Sequence, residues 1–338
     1  MVPAPSPKLG KHEGVNEGLR FGDADNLSAV NPLGPILSVG GSNVRVGTCS
    51  WADATLTKDA NWYPRKSMKA AERLAFYASK FPVVEVDSTY YFPPTPELAH
   101  SWVERTPENF VMDVKAWSLL TGHPTFPHSL WEDMQGSVKP EFRDKKNMYA
   151  KHLEREVLDE CWHRFRHALS PLHEAGKLGA VLLQYPEWFG PKSSSRDAIL
   201  EAVDFLAPYQ CLIEFRNAKW LVNHECDATL SFLEENELTF VCVDEPQGFK
   251  SSMPPVLAAT NGLGVIRFHG HNTDNWDRKG ITAAERFLYS YSDDEMAHWS
   301  RRLREFAPSV DTMHVLFNNC WQDFAVGNAS TMVDLLSG

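Results

Sequence analysis

From Val44 onward, short apolar runs alternate with segments of helical periodicity. Eight runs of five or six residues, rich in β-branched and aromatic side chains, predict strands at 44–49, 83–88, 110–115, 179–184, 211–216, 239–243, 264–269 and 313–318. Helical patterns lie between most of them. Ser67 is placed to cap a helix with Ala71, Leu74, Ala75 and Ala78 on one face. Thr95-Pro96 reads as an N-cap followed by proline in the first turn. Ser292 and Glu295 form a capping box ahead of Met296, Trp299, Leu303 and Phe306 at helical spacing. Residues 147–175, 196–207, 226–236 and 328–337 also predict helices. The crossover near 248–260 contains Pro254-Pro255 and predicts an irregular segment.

Eight strand–helix units over 44–338 take about 37 residues each, which suits a TIM-type (β/α)8 barrel of about 250 residues enlarged by insertion. A doubly wound open sheet is the alternative fold. The surplus sits mainly in 116–177, after the third strand, where 118–147 holds Gly122, His123, Pro124, Pro127, Trp131 and Gly136. Residues 1–42 are rich in Pro, Gly, Ser and Asn and read as an N-terminal extension, either a tail or a surface strap. Residues 43–338 then form a single barrel domain.

Within the strands, charged residues recur at alternate positions near the C-terminal ends. They are Glu85 and Asp87, Asp113 and Lys115, Glu214 and Arg216, and Arg267 and His269, with Gln184 and Asn318 in comparable places. Alternate positions share one face of a strand. Burying charge beneath helices is costly, so that face is expected to be the interior mouth of the barrel, where this fold carries its chemistry.

Composition narrows the choices. The chain of 338 residues carries 33 Lys+Arg against 44 Asp+Glu, a net charge of −11. That disfavours a general duplex-DNA binder without excluding a local basic pocket. No apolar run approaches the roughly 18 residues of a membrane span. None of the six cysteines lies in a C-x-x-C pair, and the first 42 residues lack a basic start with an apolar core. A cytoplasmic protein with reduced thiols is expected.

Two readings of the mouth follow: a structural network of ion pairs, or a ligand pocket. For the pocket, Lys115, Arg216 and Arg267 would hold a small anion such as a phosphate or sugar phosphate. Glu214 or Glu85 would act as general base and His269 as acid or base, in hydrolysis of a phosphoester or an isomerisation. Asp87, Tyr91, Trp220, Asn318 and Asn319 would complete the ligand-binding set. Trp51, Trp117, Trp276 and Trp321 also follow strands and could stack on sugars or bases. A divalent metal on Glu85, Glu214 and His269 is not favoured, because the interleaved Arg and Lys compete for the carboxylates. There is no H-E-x-x-H, Walker A, G-x-G-x-x-G or G-x-S-x-G motif. A single-strand nucleic-acid binder and a non-catalytic partner-binding scaffold are the alternatives, and the oligomeric state is left open.

An ordered set of short motifs accompanies these residues. It runs through Gly47-Thr-Cys-Ser-Trp51, Trp62-Tyr-Pro64, Val84-Glu-Val-Asp-Ser-Thr-Tyr-Tyr91, Thr106-Pro107 with Phe110, and Lys115. It continues through Lys177-Leu-Gly179, Gln184-Tyr-Pro186, Glu214-Phe-Arg-Asn217 with Trp220, Val243-Asp244, and Arg267-Phe-His-Gly-His-Asn272. Tyr289-x-Tyr291, Phe317-Asn-Asn319 and Asn328-Ala329 complete it. Over about 44–337 the chain resembles the YecE-like family, domain of unknown function 72. The resemblance implies a TIM-type barrel and, through looser likeness, endonuclease IV and sugar-isomerase barrels. It implies no specific activity. Against the family pattern, Cys49 stands where Ser is frequent, Asp87 where Asn is usual, His271 where Arg is usual, and Cys320 where His is common.

Overall fold

The computed structural model describes residues 32–338. Residues 1–31 lie outside the described residues, and with them most of the segment read as a tail or strap. Nine strands form one sheet: β1 (Leu37–Val39), β2 (Ser42–Thr48), β3 (Val83–Val86), β4 (Val111–Lys115), β5 (Leu178–Gln184), β6 (Cys211–Glu214), β7 (Thr239–Asp244), β8 (Leu263–Phe268) and β9 (Thr312–Phe317). Strands β2 to β9 are all parallel to their neighbours, and β2 pairs with β9, so they close an eight-stranded barrel. Closure rules out the open-sheet alternative. Strand β1 adds an antiparallel hairpin to β2 through Gly40 and Gly41, both at positive φ.

Among the described residues, ten helices accompany the strands: α1 (Ala54–Lys58), α2 (Ala70–Ala78), α3 (Pro96–Glu104), α4 (Arg155–Ala168), α5 (Ser170–Glu174), α6 (Ser193–Leu206), α7 (His224–Glu235), α8 (Ala283–Arg286), α9 (Asp293–Phe306) and α10 (Phe324–Ser337). Thr95 caps α3 through Leu98 N, and Ser292 with Glu295 boxes the start of α9, as their sequences predict. Ser67 does not cap α2. That helix starts at Ala70, where the Glu72 carboxylate accepts from Lys69 N at 2.6 Å. The helix predicted over 147–175 begins only at Arg155 and breaks before Pro171, which has no N–H to continue the ladder. The stretch 248–260 is irregular, as its paired prolines require.

The 118–147 insertion is not an open loop. It folds into short 3-10 turns that bury Leu119, Leu130, Met134 and Val138. A two-way backbone pairing of Thr125 with Met148 ties off its end.

Outward strand residues pack under helices, as in the stack of Phe268 on Phe317 with Trp299 of α9 edge-on. The inward residues meet across the interior. Arg267 on β8 bonds Glu85 on β3 and Glu214 on β6, strands that are not its neighbours in the sheet. Only the barrel lumen permits that contact. Alternation along each strand therefore lines the lumen's upper end with charge.

Candidate functional site: a polar barrel mouth

The lumen network is built on two arginines. Arg267 presents Nε and Nη2 to the two oxygens of Glu85, each at 2.7 Å, and Nη1 to Glu214 Oε2. Arg216 donates from Nη1 to Glu245 Oε2 and from Nη2 to His269 Nε2 at 2.9 Å. Its Nε lies 2.6 Å from Glu214 Oε1 but out of line for a hydrogen bond. Glu85, Glu214, Glu245, Arg267 and His269 are all buried.

Burial opposes the charges, and the pairing answers it. Burial alone would raise the Glu214 carboxyl, yet Arg216 and Arg267 hold it well below the usual carboxylate range. Burial works against the Arg267 guanidinium, and Glu214 and Glu85 more than restore its charge. His269 is driven well below its ordinary value by burial and then by Arg216, so it is neutral. Its Nε2 accepts from Arg216, which puts its proton on Nδ1. Asn318 Nδ2 is placed 2.8 Å from Nδ1, so the amide must be turned over to present its oxygen as the acceptor of that proton. Burial pushes Glu245 up to about 7, with Arg216 opposing, while Met253 N donates to its Oε1 at 2.7 Å.

Above this network opens a cavity of about 510 Å³. Its lining includes Lys115, Arg216, Arg267, Asp87, Tyr91, Gln184 and Asn318 from the sequence-derived set. It also includes Asp53, Tyr90, Trp276, Arg278, Lys279, Arg286, Phe287 and Cys320. Lys115 lies over the Tyr90 ring at 4.5 Å and, among the described residues, has no carboxylate within ion-pair distance. Burial, then Arg267, lowers its pKa. Asp87 likewise has no cation within that distance among the described residues. Burial first, then Glu85, raises its carboxyl to about 7, against the pull of Lys115.

This geometry belongs to a chain whose residues 45–338 match the family described as "Protein of unknown function DUF72". The chain belongs to the DUF72 family. It is 31% identical over 298 residues to the UPF0759 protein YunF of Bacillus subtilis (strain 168), covering 87% of this chain and 94% of that one. A DUF72 family crystal structure from Enterococcus faecalis V583 superposes with TM-score 0.69 at 27% identity, covering 87% of this chain and 96% of that one. One from Thermotoga maritima MSB8 gives 0.67 at 26%, covering 87% and 99%.

Several expected roles change in this DUF72 barrel. Glu85, Glu214 and His269 are buried outside the cavity lining, the two carboxylates turned to the arginines and His269 held between Arg216 and Asn318, so they present no free base to a ligand. Arg216 and Arg267 reach the cavity already neutralised by three carboxylates. Trp220 is fully buried, stacked on Phe215 at 4.3 Å, with its Nε1 on Phe189 O. It is core, not a ligand platform. Asn319 is buried outside the cavity lining, with its Nδ2 donating to Tyr289 O and Asn328 Oδ1 and its Oδ1 left without a partner among the described residues. Trp51 and Trp117 are buried and half-buried Trp321 also lies outside the cavity lining, whereas Trp276, itself buried, contributes to it. Asp113 does not line the cavity. Its Oδ2 lies 2.8 Å from His314 Nδ1 and its Oδ1 packs against Gly179, where a Cβ would come within 2.4 Å.

Glu245 escaped the sequence reading because the strand was ended at 243. Carrying its alternation through Val241 and Val243 reaches 245. Arg278, Lys279 and Arg286 were also missed, although the charge-rich stretch between β8 and α9 was the available signal. Among the described residues no group of three His, Cys, Asp or Glu side chains is arranged to hold a metal ion. All six cysteines are free, and among the described residues no helix is long and apolar enough to cross a membrane.

Proposed function

We propose that this DUF72 barrel binds a small anionic ligand, phosphate- or sugar-phosphate-like, at its C-terminal mouth. The observation that carries the reading is Lys115: a cation in the cavity lining with no ion-pair partner among the described residues. Elsewhere in the mouth the arginines are neutralised from below. Arg278, Lys279 and Arg286 add positive charge at the rim, which suits an anion entering from solvent. Glu85, Glu214 and His269 serve this reading as the scaffold that holds Arg216 and Arg267 rigid, rather than as proton-transfer groups.

Calorimetric titration with inorganic phosphate at low ionic strength tests it. Saturable binding is expected, weakened about tenfold by Lys115→Met, the value of one charge-assisted contact. A flat titration with the wild-type chain would sink the reading. A labelled single-stranded oligonucleotide titrated at two salt concentrations tests the nucleic-acid alternative, which the net charge of −11 disfavours.

A further inference from the structure

The cavity lining is not uniformly charged. Asp53 follows β2, Asp87 and Tyr91 follow β3, and Cys320 follows β9. These three strands are consecutive around the barrel, because β2 pairs with both β3 and β9. The three groups feel one another: Asp53 and Asp87 both act on Cys320, and Asp53 acts on Asp87. Asp53 and Asp87 make this sector acidic.

The rest of the lining is basic. Lys115 ends β4, Arg216 follows β6, and Arg278, Lys279 and Arg286 lie between β8 and α9, outnumbering Glu187 and Asp277. The basic segment is held in shape by its own backbone, since Arg286 donates to Arg278 O at 2.8 Å and Asn275 O at 3.3 Å.

A bare inorganic anion would use only the basic side and leave Asp87 facing open space. A carboxyl group accepts hydrogen bonds when ionised and both donates and accepts when protonated, so a hydroxyl, which can do either, complements Asp87 in both states. Asp87 has the freedom for this, because neither of its oxygens has a protein donor among the described residues. Asp53 is partly committed, since its Oδ1 accepts from Thr55 N and Thr55 Oγ1. Tyr91, half exposed beside them, offers an apolar face to a sugar ring.

We infer that the mouth takes a hydroxyl-rich organic phosphate lengthwise, with its phosphate on the basic sector and its hydroxyls on Asp87. This rests on the anion-binding reading and adds to it the class of ligand and the residue that selects it. Asp87 is then the specificity-determining group, and Lys115 stands at the junction of the two sectors. The cavity of about 510 Å³ has room for a five- or six-carbon sugar phosphate.

The test compares inorganic phosphate, ribose 5-phosphate, glucose 6-phosphate and free ribose by calorimetry on the full chain, wild type and Asp87→Asn. At least one sugar phosphate is expected to bind roughly tenfold or more tighter than inorganic phosphate, as a charge-assisted hydrogen bond provides. Asp87→Asn should remove that preference, so that sugar phosphate and inorganic phosphate bind the variant with similar affinity. Asp87→Ala, with its thermal midpoint recorded, guards against a folding artefact in the first variant. If phosphate binds but neither sugar phosphate binds tighter, or if both Asp87 variants keep the preference, the inference fails while the anion site stands. If nothing binds, the anion-binding reading fails and this inference with it.

Discussion

Arg267 and Glu85 face each other across the barrel interior, joined by two parallel hydrogen bonds of 2.7 Å. The pair is buried, and Glu214 bonds the same guanidinium. Removing one member strands a charge that water cannot reach, at a cost of about 3–5 kcal/mol. Arg267→Met and Glu85→Leu should each lower the unfolding free energy by that order. The double variant Glu85→Leu/Arg267→Met should lose less than the sum of the two, because no unpaired partner remains from this pair. Urea unfolding of the four proteins checks this, and additive losses would show that the two residues are not coupled.

Asp87 and Glu245 are both raised to about 7, chiefly by burial. An acid whose folded pKa exceeds its unfolded value holds its proton more tightly when folded. Its contribution to stability is therefore complete below about pH 4 and lost as pH rises to about 7. The groups acting on Asp87 are Glu85 from its own strand, Asp53, Lys115 and Arg267. Thermal midpoints of wild type and Asp87→Asn should diverge between pH 4 and 7, the variant gaining relative stability as pH rises. Parallel curves would contradict the raised value.

His271 bridges two carboxylates, with Nε2 3.0 Å from Asp244 Oδ2 and Nδ1 3.0 Å from Glu295 Oε1. Burial opposes its charge, but the hydrogen bonds and charges of Asp244 and Glu295 outweigh it and raise its pKa. Tyr291 donates to Asp244 and Tyr289 to Glu295, so both carboxylates are held in place. The stabilisation is fully present below the ordinary histidine pKa of about 6.5 and is lost as pH rises through the higher folded value. His271→Ala should therefore cost more stability at pH 6 than at pH 9. His271→Arg, which keeps its charge, should show no such fall, and a pH-independent cost of the alanine variant would refute the pairing.

Trp220 is fully buried between Phe215, Phe189 and the Arg196 guanidinium, 5.3 Å above its ring. Trp220→Ala should cost about 3–5 kcal/mol, the range for an aromatic cavity in a packed core. Phosphate affinity of the folded fraction should be unchanged, since the ring does not line the cavity. A selective loss of binding without loss of stability would return Trp220 to the ligand site.

The fold was legible because its evidence is local. Each of the eight barrel strands appears within two residues of its predicted start, carried by β-branched runs such as those around Val83 and Val181. Thr95 and Ser292 announced their helices by capping chemistry that needs only three or four consecutive residues. Ser67 misled for the same reason: it has the side chain of a cap, but the helix begins at Ala70, two residues beyond where a Ser67 cap would start it, and Glu72 in its first turn accepts from Lys69 N.

By itself, the sequence determined which side chains share the barrel's inner face, because a strand's period of two follows from its backbone. It therefore determined that Glu85, Glu214, Arg216, Arg267 and His269 converge. Only the tertiary structure decided their depth and pairing. Height in a barrel depends on strand tilt and register, which put Asp113 beside His314 and left Asp87 and Lys115 in the cavity lining without ion-pair partners among the described residues. Pairing depends on distances between strands far apart in the chain, which gave Glu85 and Glu214 to Arg267 instead of leaving them to a ligand.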